Sequence, residues 1–300
     1  MSTAQGYGWQ TAALRGGELV FSTPGGIEQA LRDGFFHVEQ PEGLDLTAGD
    51  RFARGFYLPG EPDSTDPFRG FQHWTSERLG PRQGYYCRDD DQTEQFFLES
   101  AHWDSVYPQA LARQAEAMRS LALDVLRAVL AHLELPPELW DEATGRCLSA
   151  RGTYNLTFNH FRPEVPRRGL NVHKDSGWVT VLRSTDPGLE VERDGAWHPI
   201  DPRPGTFIVN FGCAIEILTR DTRTPVAAVA HRVVQQPRTD ERKPDRFSYA
   251  LFVDSSLDED ICPGLFRYEP GTGLRLETNF GTFLDTILHN TYQKDTAGLY

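Results

Sequence analysis

The chain has 300 residues, of which 39% are hydrophobic, including 18 Phe and 6 Trp, a balance typical of a water-soluble globular protein with one large core or two small ones. A formal net charge of −13 argues against nucleic acid as a partner, because a phosphate-binding face must be basic. No apolar run is long enough to span a membrane, the first ten residues lack a basic-then-apolar leader, and Cys87, Cys147, Cys213 and Cys262 lack zinc-type spacing. The expected setting is the cytoplasm, where thiols stay reduced; the sequence leaves the oligomeric state open.

In chain order, Ile27, Ala30 and Leu31 fall at i, i+3 and i+4 and predict an amphipathic helix that Gly34 stops, followed by a strand at Phe35-Phe36-His37-Val38. His37 reads as a solvated or packed residue. From Pro59 to Glu94 the chain is rich in Gly, Pro, Asp and aromatic residues, which predicts long loops and short strands over a pocket mouth. Phe71, Trp74, Tyr85 and Tyr86 are either entrance or core residues. A long helix is predicted from about Tyr107 to Leu133, with Leu111, Ala115, Met118, Ala122, Val125 and Val129 on one stripe and Pro108 where a first-turn proline is tolerated. A short helix around Leu139 to Ala143 precedes a strand-rich half that begins at Thr153.

That half carries the chemistry. His173 and Asp175 stand two apart on a predicted strand, so their side chains share a face. His231 ends a second predicted strand, the apolar run Val226-Ala227-Ala228-Val229-Ala230. Two histidines and one carboxylate cover one face of an octahedral ion and leave the other positions open, the pattern suited to non-heme Fe(II) that must also hold a cosubstrate and O2. Arg246 and Ser248, again two apart, offer a guanidinium fork and a hydroxyl suited to a carboxylate. Metal triad and carboxylate clamp together imply a dicarboxylate that chelates the ion at one end.

With these residues the segments Gly188-Leu189-Glu190-Val191, Asp194-Gly195-Ala196-Trp197, Pro204 to Gly212 and His231-Arg232-Val233-Val234 resemble the core of the 2-oxoglutarate/Fe(II) oxygenases of the isopenicillin N synthase-like branch. That branch includes plant flavonoid and gibberellin oxygenases and the bacterial cephalosporin ring-expanding enzyme. The resemblance implies a mainly β fold with flanking helices around a double-stranded β-helix, or jelly roll. It also implies a single oxygenase domain, with 1–150 an N-terminal helical and loop segment, 151–255 the core with the iron site, and 256–300 a C-terminal helix and tail. Carried over by position, His173, Asp175 and His231 are the iron ligands, Arg246 and Ser248 hold the far carboxylate of 2-oxoglutarate, and Asn159 helps position it. Phe161 replaces a family tyrosine and has no hydroxyl to offer. Leu182 matches a pocket-wall position; Arg162 and Arg183 are further candidates for contact with a small-molecule substrate, a solvated strand end being the other reading of Arg183. The interval from His231 to Arg246 is longer than in the plant members and resembles the cephalosporin enzyme. Asp175 disfavours halogenation, since halogenating relatives carry a small residue there.

The implied reaction consumes Fe(II), 2-oxoglutarate and O2 and acts on an unactivated C–H bond by hydroxylation, desaturation or ring formation, with a secondary-metabolite intermediate as the expected substrate. No catalytic side chain beyond the ligands is implied. The alternatives are an isopenicillin N synthase-like oxidase that does not use 2-oxoglutarate, and a catalytically silent jelly-roll binding protein. The helix predicted from Phe280 to Tyr292 is followed by a tail, Tyr292 to Tyr300, that is either a lid or disordered.

Overall fold

Two strand faces of opposite character set the architecture of the computed structural model, which describes residues 7–60, 65–238 and 243–291. The strands are β1 (Thr11–Arg15), β2 (Glu18–Phe21), β3 (Phe35–Glu39), β4 (Gly84–Cys87), β5 (Thr93–Glu99), β6 (Thr153–Phe161), β7 (Leu170–His173), β8 (Val179–Ser184), β9 (Leu189–Arg193), β10 (Ala196–Pro199), β11 (Thr206–Phe211), β12 (His231–Val233), β13 (Phe247–Asp254), β14 (Leu265–Glu269) and β15 (Gly273–Thr278). Nine of them form a main sheet in the order β2-β1-β3-β11-β8-β13-β6-β5-β4, and four form a smaller sheet, β10-β9-β12-β7. Together the two sheets make the expected jelly roll. The N-terminal half supplies five strands to the main sheet as well as its helices, so it extends the core sheet at both edges.

Side chains alternate across the main sheet. On its outer face Phe96, Phe158, Val181, Tyr249, Leu251 and Val253 join one large apolar core with the helix Gln109–His132. Leu111, Ala115, Met118, Ala122, Val125 and Val129 are all fully buried there, as their helical spacing predicts. Phe52, on the helix Thr47–Gly55, is the hub: its ring lies 4.6 Å from those of Phe71 and Phe158, 5.3 Å from Tyr107 and 5.5 Å from Phe96. Phe71 is therefore a core residue. On the inner face Phe35, Phe161 and Ile208 meet Leu189, Val191, Val229 and Val233 in a second, smaller core.

The helix Gly26–Asp33 ends where predicted. Gly34 has φ 74°, donates its N–H to the Ala30 carbonyl at 2.9 Å, and would place a Cβ 2.7 Å from the Ala227 oxygen, so only glycine fits. His37 is packed, 1% exposed, with Nδ1 3.3 Å from the Thr206 hydroxyl.

The predicted strand at 226–230 is not one. The amides of its first three residues are taken elsewhere: Val226 donates to the Thr219 hydroxyl, Ala227 to the Leu31 carbonyl and Ala228 to Glu216. Apolar composition alone marked it as buried, not as paired. Among the described residues no helix is long and apolar enough to cross a membrane. The C-terminal helix runs Phe280–Thr291; the tail from Tyr292, and with it the lid expectation, lies outside the described residues.

Candidate metal centre and anion cradle

The paired strands β7 and β12 place His173 directly opposite His231, with ring centroids 4.2 Å apart. Asp175 completes the group: its Oδ1 lies 3.7 Å from Nε2 of His173 and 3.6 Å from Nε2 of His231. These separations fall inside the roughly 4.2 Å that two ligands each about 2.1 Å from one ion can span, and all three ligand atoms lie within 4.8 Å of one another. Among the described residues no other group of three His, Cys, Asp or Glu side chains converges in this way.

Each member is oriented by a partner of its own. Nδ1 of His173 donates to the Asn171 carbonyl at 2.8 Å and Nδ1 of His231 to that of Val229 at 3.3 Å, so in both rings Nε2 is the lone-pair nitrogen. Asp175 lies just beyond the end of β7, so strand alternation does not place it. Its Oδ2 accepts from the Thr180 hydroxyl at 2.7 Å and from the Asn210 amide, while Cys213 N–H caps its carbonyl at 2.8 Å. Oδ1 is left facing both imidazoles. Burial, then the neighbouring His231, holds the His173 pKa down to about 4. Burial pushes the Asp175 carboxyl the other way, but His231, His173, Thr180 and Asn210 together bring it below its ordinary value. A neutral imidazole beside an ionised carboxylate is the state a divalent cation requires.

At the other end of the interior lies Arg246, 6% exposed. Its Nε donates to the Pro187 carbonyl at 3.1 Å, Nη2 to the Ser184 hydroxyl at 3.3 Å, and its guanidinium carbon sits 4.3 Å from the centre of the Phe161 ring. Nη1 is buried without a hydrogen-bond partner. Burial pulls this arginine down to about 10, with only Asp186 opposing. A desolvated guanidinium with an unused donor is half of an ion pair. Ser248, 4% exposed, sits beside it between Ser184 and Asn159 in the ladder. The Asn159 oxygen is occupied by the Gln95 amide at 2.6 Å.

One strand links the two ends. Thr180, Leu182 and Ser184 of β8 share the inner face: Thr180 holds Asp175, Ser184 holds Arg246, and Leu182 packs between them with the inner core. Four residues of strand set the posts about 13 Å apart along the backbone.

Two sequence-based candidates do not join the site. Arg183 points to the outer face, where it pairs with Asp50 at 3.2 Å beside Tyr249, because it is out of phase with Leu182 and Ser184. Arg162 spends its guanidinium on the carbonyls of Arg88, Asp91 and Gln92. Thr180, Asn210 and Ser184, conversely, were not singled out as site residues. Asn210 carried a signal, a lone amide inside the apolar strand Thr206–Phe211, which must find a partner when buried.

Fold and site define a jelly-roll protein in which two histidines and one carboxylate converge at one end of the interior and a buried arginine with an unpaired donor stands at the other. Residues 152–255 match the family model of the 2OG-Fe(II) oxygenase superfamily. It is 29% identical over 267 residues to jasmonate-induced oxygenase 2 of Arabidopsis thaliana, covering 79% of this chain and 66% of that one. The chain thus spans about two thirds of that relative's length. Among solved structures it resembles JOX2 in complex with 2OG, Fe and JA, at 24% identity and a TM-score of 0.62 over 87% of this chain and 80% of the other. It also resembles the dioxygenase for auxin oxidation in rice, at 22% identity and a TM-score of 0.63 over 94% of this chain and 96% of the other. At these identities the likeness to the solved structures speaks for the fold.

Proposed function

We propose that this chain is an Fe(II)- and 2-oxoglutarate-dependent oxygenase acting on an unactivated C–H bond of a small molecule, and that its natural substrate is a secondary-metabolite intermediate. The observation that carries the reading is the pairing of the two posts on β8: a cluster built for a divalent cation, and a buried arginine lacking an anion, at opposite ends of one strand. A five-carbon dicarboxylate laid along Leu182 meets both. In this assignment His173, Asp175 and His231 hold the iron, Arg246 and Ser248 hold the far carboxylate, and Asn159 borders the cosubstrate. With both bound, the pair would supply an oxidant for a substrate C–H bond, O2 being reduced at the expense of oxidative decarboxylation of the keto acid to succinate and CO2.

The protein's own share is placement and shielding. Thr180 and Asn210 fix the carboxylate rotamer, and the two backbone carbonyls fix the imidazole tautomers. Phe35, edge-on to His231 with ring centroids 5.5 Å apart, closes one side to water. No side-chain acid or base is needed; the C–H held beside the ion determines whether hydroxylation, desaturation or ring formation follows. A reducing compartment such as the cytoplasm suits both ferrous iron and the four free cysteines. The secondary-metabolite assignment is supported by the long interval from His231 to Arg246, which resembles that of the cephalosporin-forming enzyme.

The test is succinate release from 2-oxoglutarate, with Fe(II) under air, while candidate small molecules are screened for stimulation. Succinate formed in step with an oxidised product supports the reading. Product without succinate points to the isopenicillin N synthase-like oxidase, and failure to bind Fe(II) at all points to a silent binding protein.

A further inference from the structure

The inner face of the main sheet continues past the metal-ligand cluster into a cavity of about 60 Å³. Tyr86 and Phe97 wall it from β4 and β5, Phe280 and Leu284 of the C-terminal helix close it, and Glu99, Asn155 and Asp254 bring polar groups to it. The strand register fixes where it lies. Asn155 pairs with Glu99 on one side and with Phe252 on the other, and Phe252 pairs with Thr180, the residue that holds Asp175. Asp254 is nearer still: its Oδ1 accepts from the hydroxyl of Ser176, adjacent to Asp175, at 3.4 Å.

Two acids here have no countercharge. Asp254 is 6% exposed, yet that single long hydrogen bond is the only one its side chain makes to another side chain among the described residues. Its neighbour in charge is another acid, Asp175, which adds to burial in pushing the carboxyl up to about 7. Glu99 makes no ion pair among the described residues, and burial raises its pKa too, with His102 only partly opposing. Arg82 also borders the cavity, but it is exposed on the rim and forms no ion pair with either acid. Further along the same face, Oε1 of Gln95 and the hydroxyl of Thr157 are buried without partners, in residues 5% and 2% exposed. This wall is therefore rich in unused acceptors, whereas the interior's buried cation, Arg246, stands at the opposite post.

Resting on the oxygenase reading above, we propose that this cavity is the substrate chamber and that its substrate carries a protonated amine, seated between Asp254 and Glu99 with an apolar body against Phe97 and Leu284. A ligand ammonium supplies the missing charge and fills the acceptors, converting two desolvation costs into charge-assisted hydrogen bonds. An anionic substrate meets the opposite, two carboxylates already short of neutralisation.

The experiment is calorimetric titration of the anaerobic protein loaded with Fe(II) and 2-oxoglutarate, using 2-phenylethylamine and 3-phenylpropionate as probes that share a body and differ in charge. The amine binds saturably and roughly tenfold or more tighter than the carboxylate, and Asp254→Asn and Glu99→Gln each weaken it by a similar factor. Glu99→Gln, at a partly exposed site, serves where Asp254→Asn fails to fold. Equal binding of the two probes, binding of neither at millimolar concentration, or amine binding indifferent to both substitutions overturns the proposal. Loading with 2-oxoglutarate is measured on the same samples. Its loss would count against the oxygenase reading, whereas the choice between amine and carboxylate judges the chamber.

Discussion

The two faces of the main sheet are built from the same strands and obey different rules. On the outer face the residues of β5, β6, β8 and β13 are apolar except Glu94, His160 and Arg183, and the helix Gln109–His132 and the Phe52 aromatic cluster cover the apolar ones. The same strands turn Gln95, Thr157, Asn159, Ser184, Arg246, Ser248 and Asp254 inward, several of them buried with polar atoms unused. A face that only had to be stable would not leave such groups unpaired. The outer face holds the sheet rigid, so the inner one can carry the cost of a site.

Substitutions can break or sharpen that contrast. The largest effect belongs to His231→Ala, which removes a cluster member facing both Asp175 and His173. Fe(II) binding and Fe-dependent succinate release are expected to vanish while the far-UV circular dichroism is retained; undiminished iron binding would remove His231 from the centre. On the outer face, Phe52→Ala should cost about 3–5 kcal/mol in denaturant unfolding, since a fully buried ring at the hub of the cluster leaves a cavity behind. A cost below about 1 kcal/mol would show the cluster to be plastic.

Arg246→Lys keeps the charge but not the fork. It should raise the 2-oxoglutarate concentration needed for half-maximal rate by roughly ten- to a hundredfold, a loss of about 1.4–2.8 kcal/mol, with iron binding unchanged. An unchanged requirement would show that the cosubstrate's tail lies elsewhere.

Asp254→Asn tests the inner face by pH. The folded protein holds the Asp254 proton more tightly than the unfolded chain does, up to about 7 from an ordinary 3.8. The wild-type fold is therefore penalised as pH rises from about 4 to 7, and the full penalty remains above that range. The substitution should raise stability by at most about 4 kcal/mol at pH 8, with the gain shrinking towards pH 5. A gain independent of pH would mean the carboxyl is not the cause.

Smallest is Arg183→Leu, which breaks the pair with Asp50. It should lower stability by roughly 1–2 kcal/mol and leave 2-oxoglutarate binding and turnover intact. A substrate-specific loss would return Arg183 to the pocket.

What the sequence made legible follows the same division. The outer face was readable because helix and strand periods are written locally: the stripe from Leu111 to Val129 and the stop at Gly34 needed no tertiary knowledge. The metal cluster was readable because its three residues carry a distinctive order, although the reason given for Asp175 was incomplete. The turn after β7, Thr180 and Asn210 orient that carboxylate, and strand alternation does not. Arg183 was misplaced by one residue of phase, which on a strand is a change of face. Arg162 went astray because nothing local announces the carbonyls at 88–92. Glu99, Asn155 and Asp254 meet only once β5, β6 and β13 pair, and no short-range pattern encodes that register.

The most direct test of the central claim is a crystal structure of the protein grown anaerobically with Fe(II) and 2-oxoglutarate, with the iron located by anomalous scattering. The account predicts one iron within about 2.3 Å of Nε2 of His173, Nε2 of His231 and Oδ1 of Asp175, and the far carboxylate of 2-oxoglutarate against Arg246 and Ser248. Iron bound elsewhere, or a keto acid that leaves Arg246 without an anion, would contradict it.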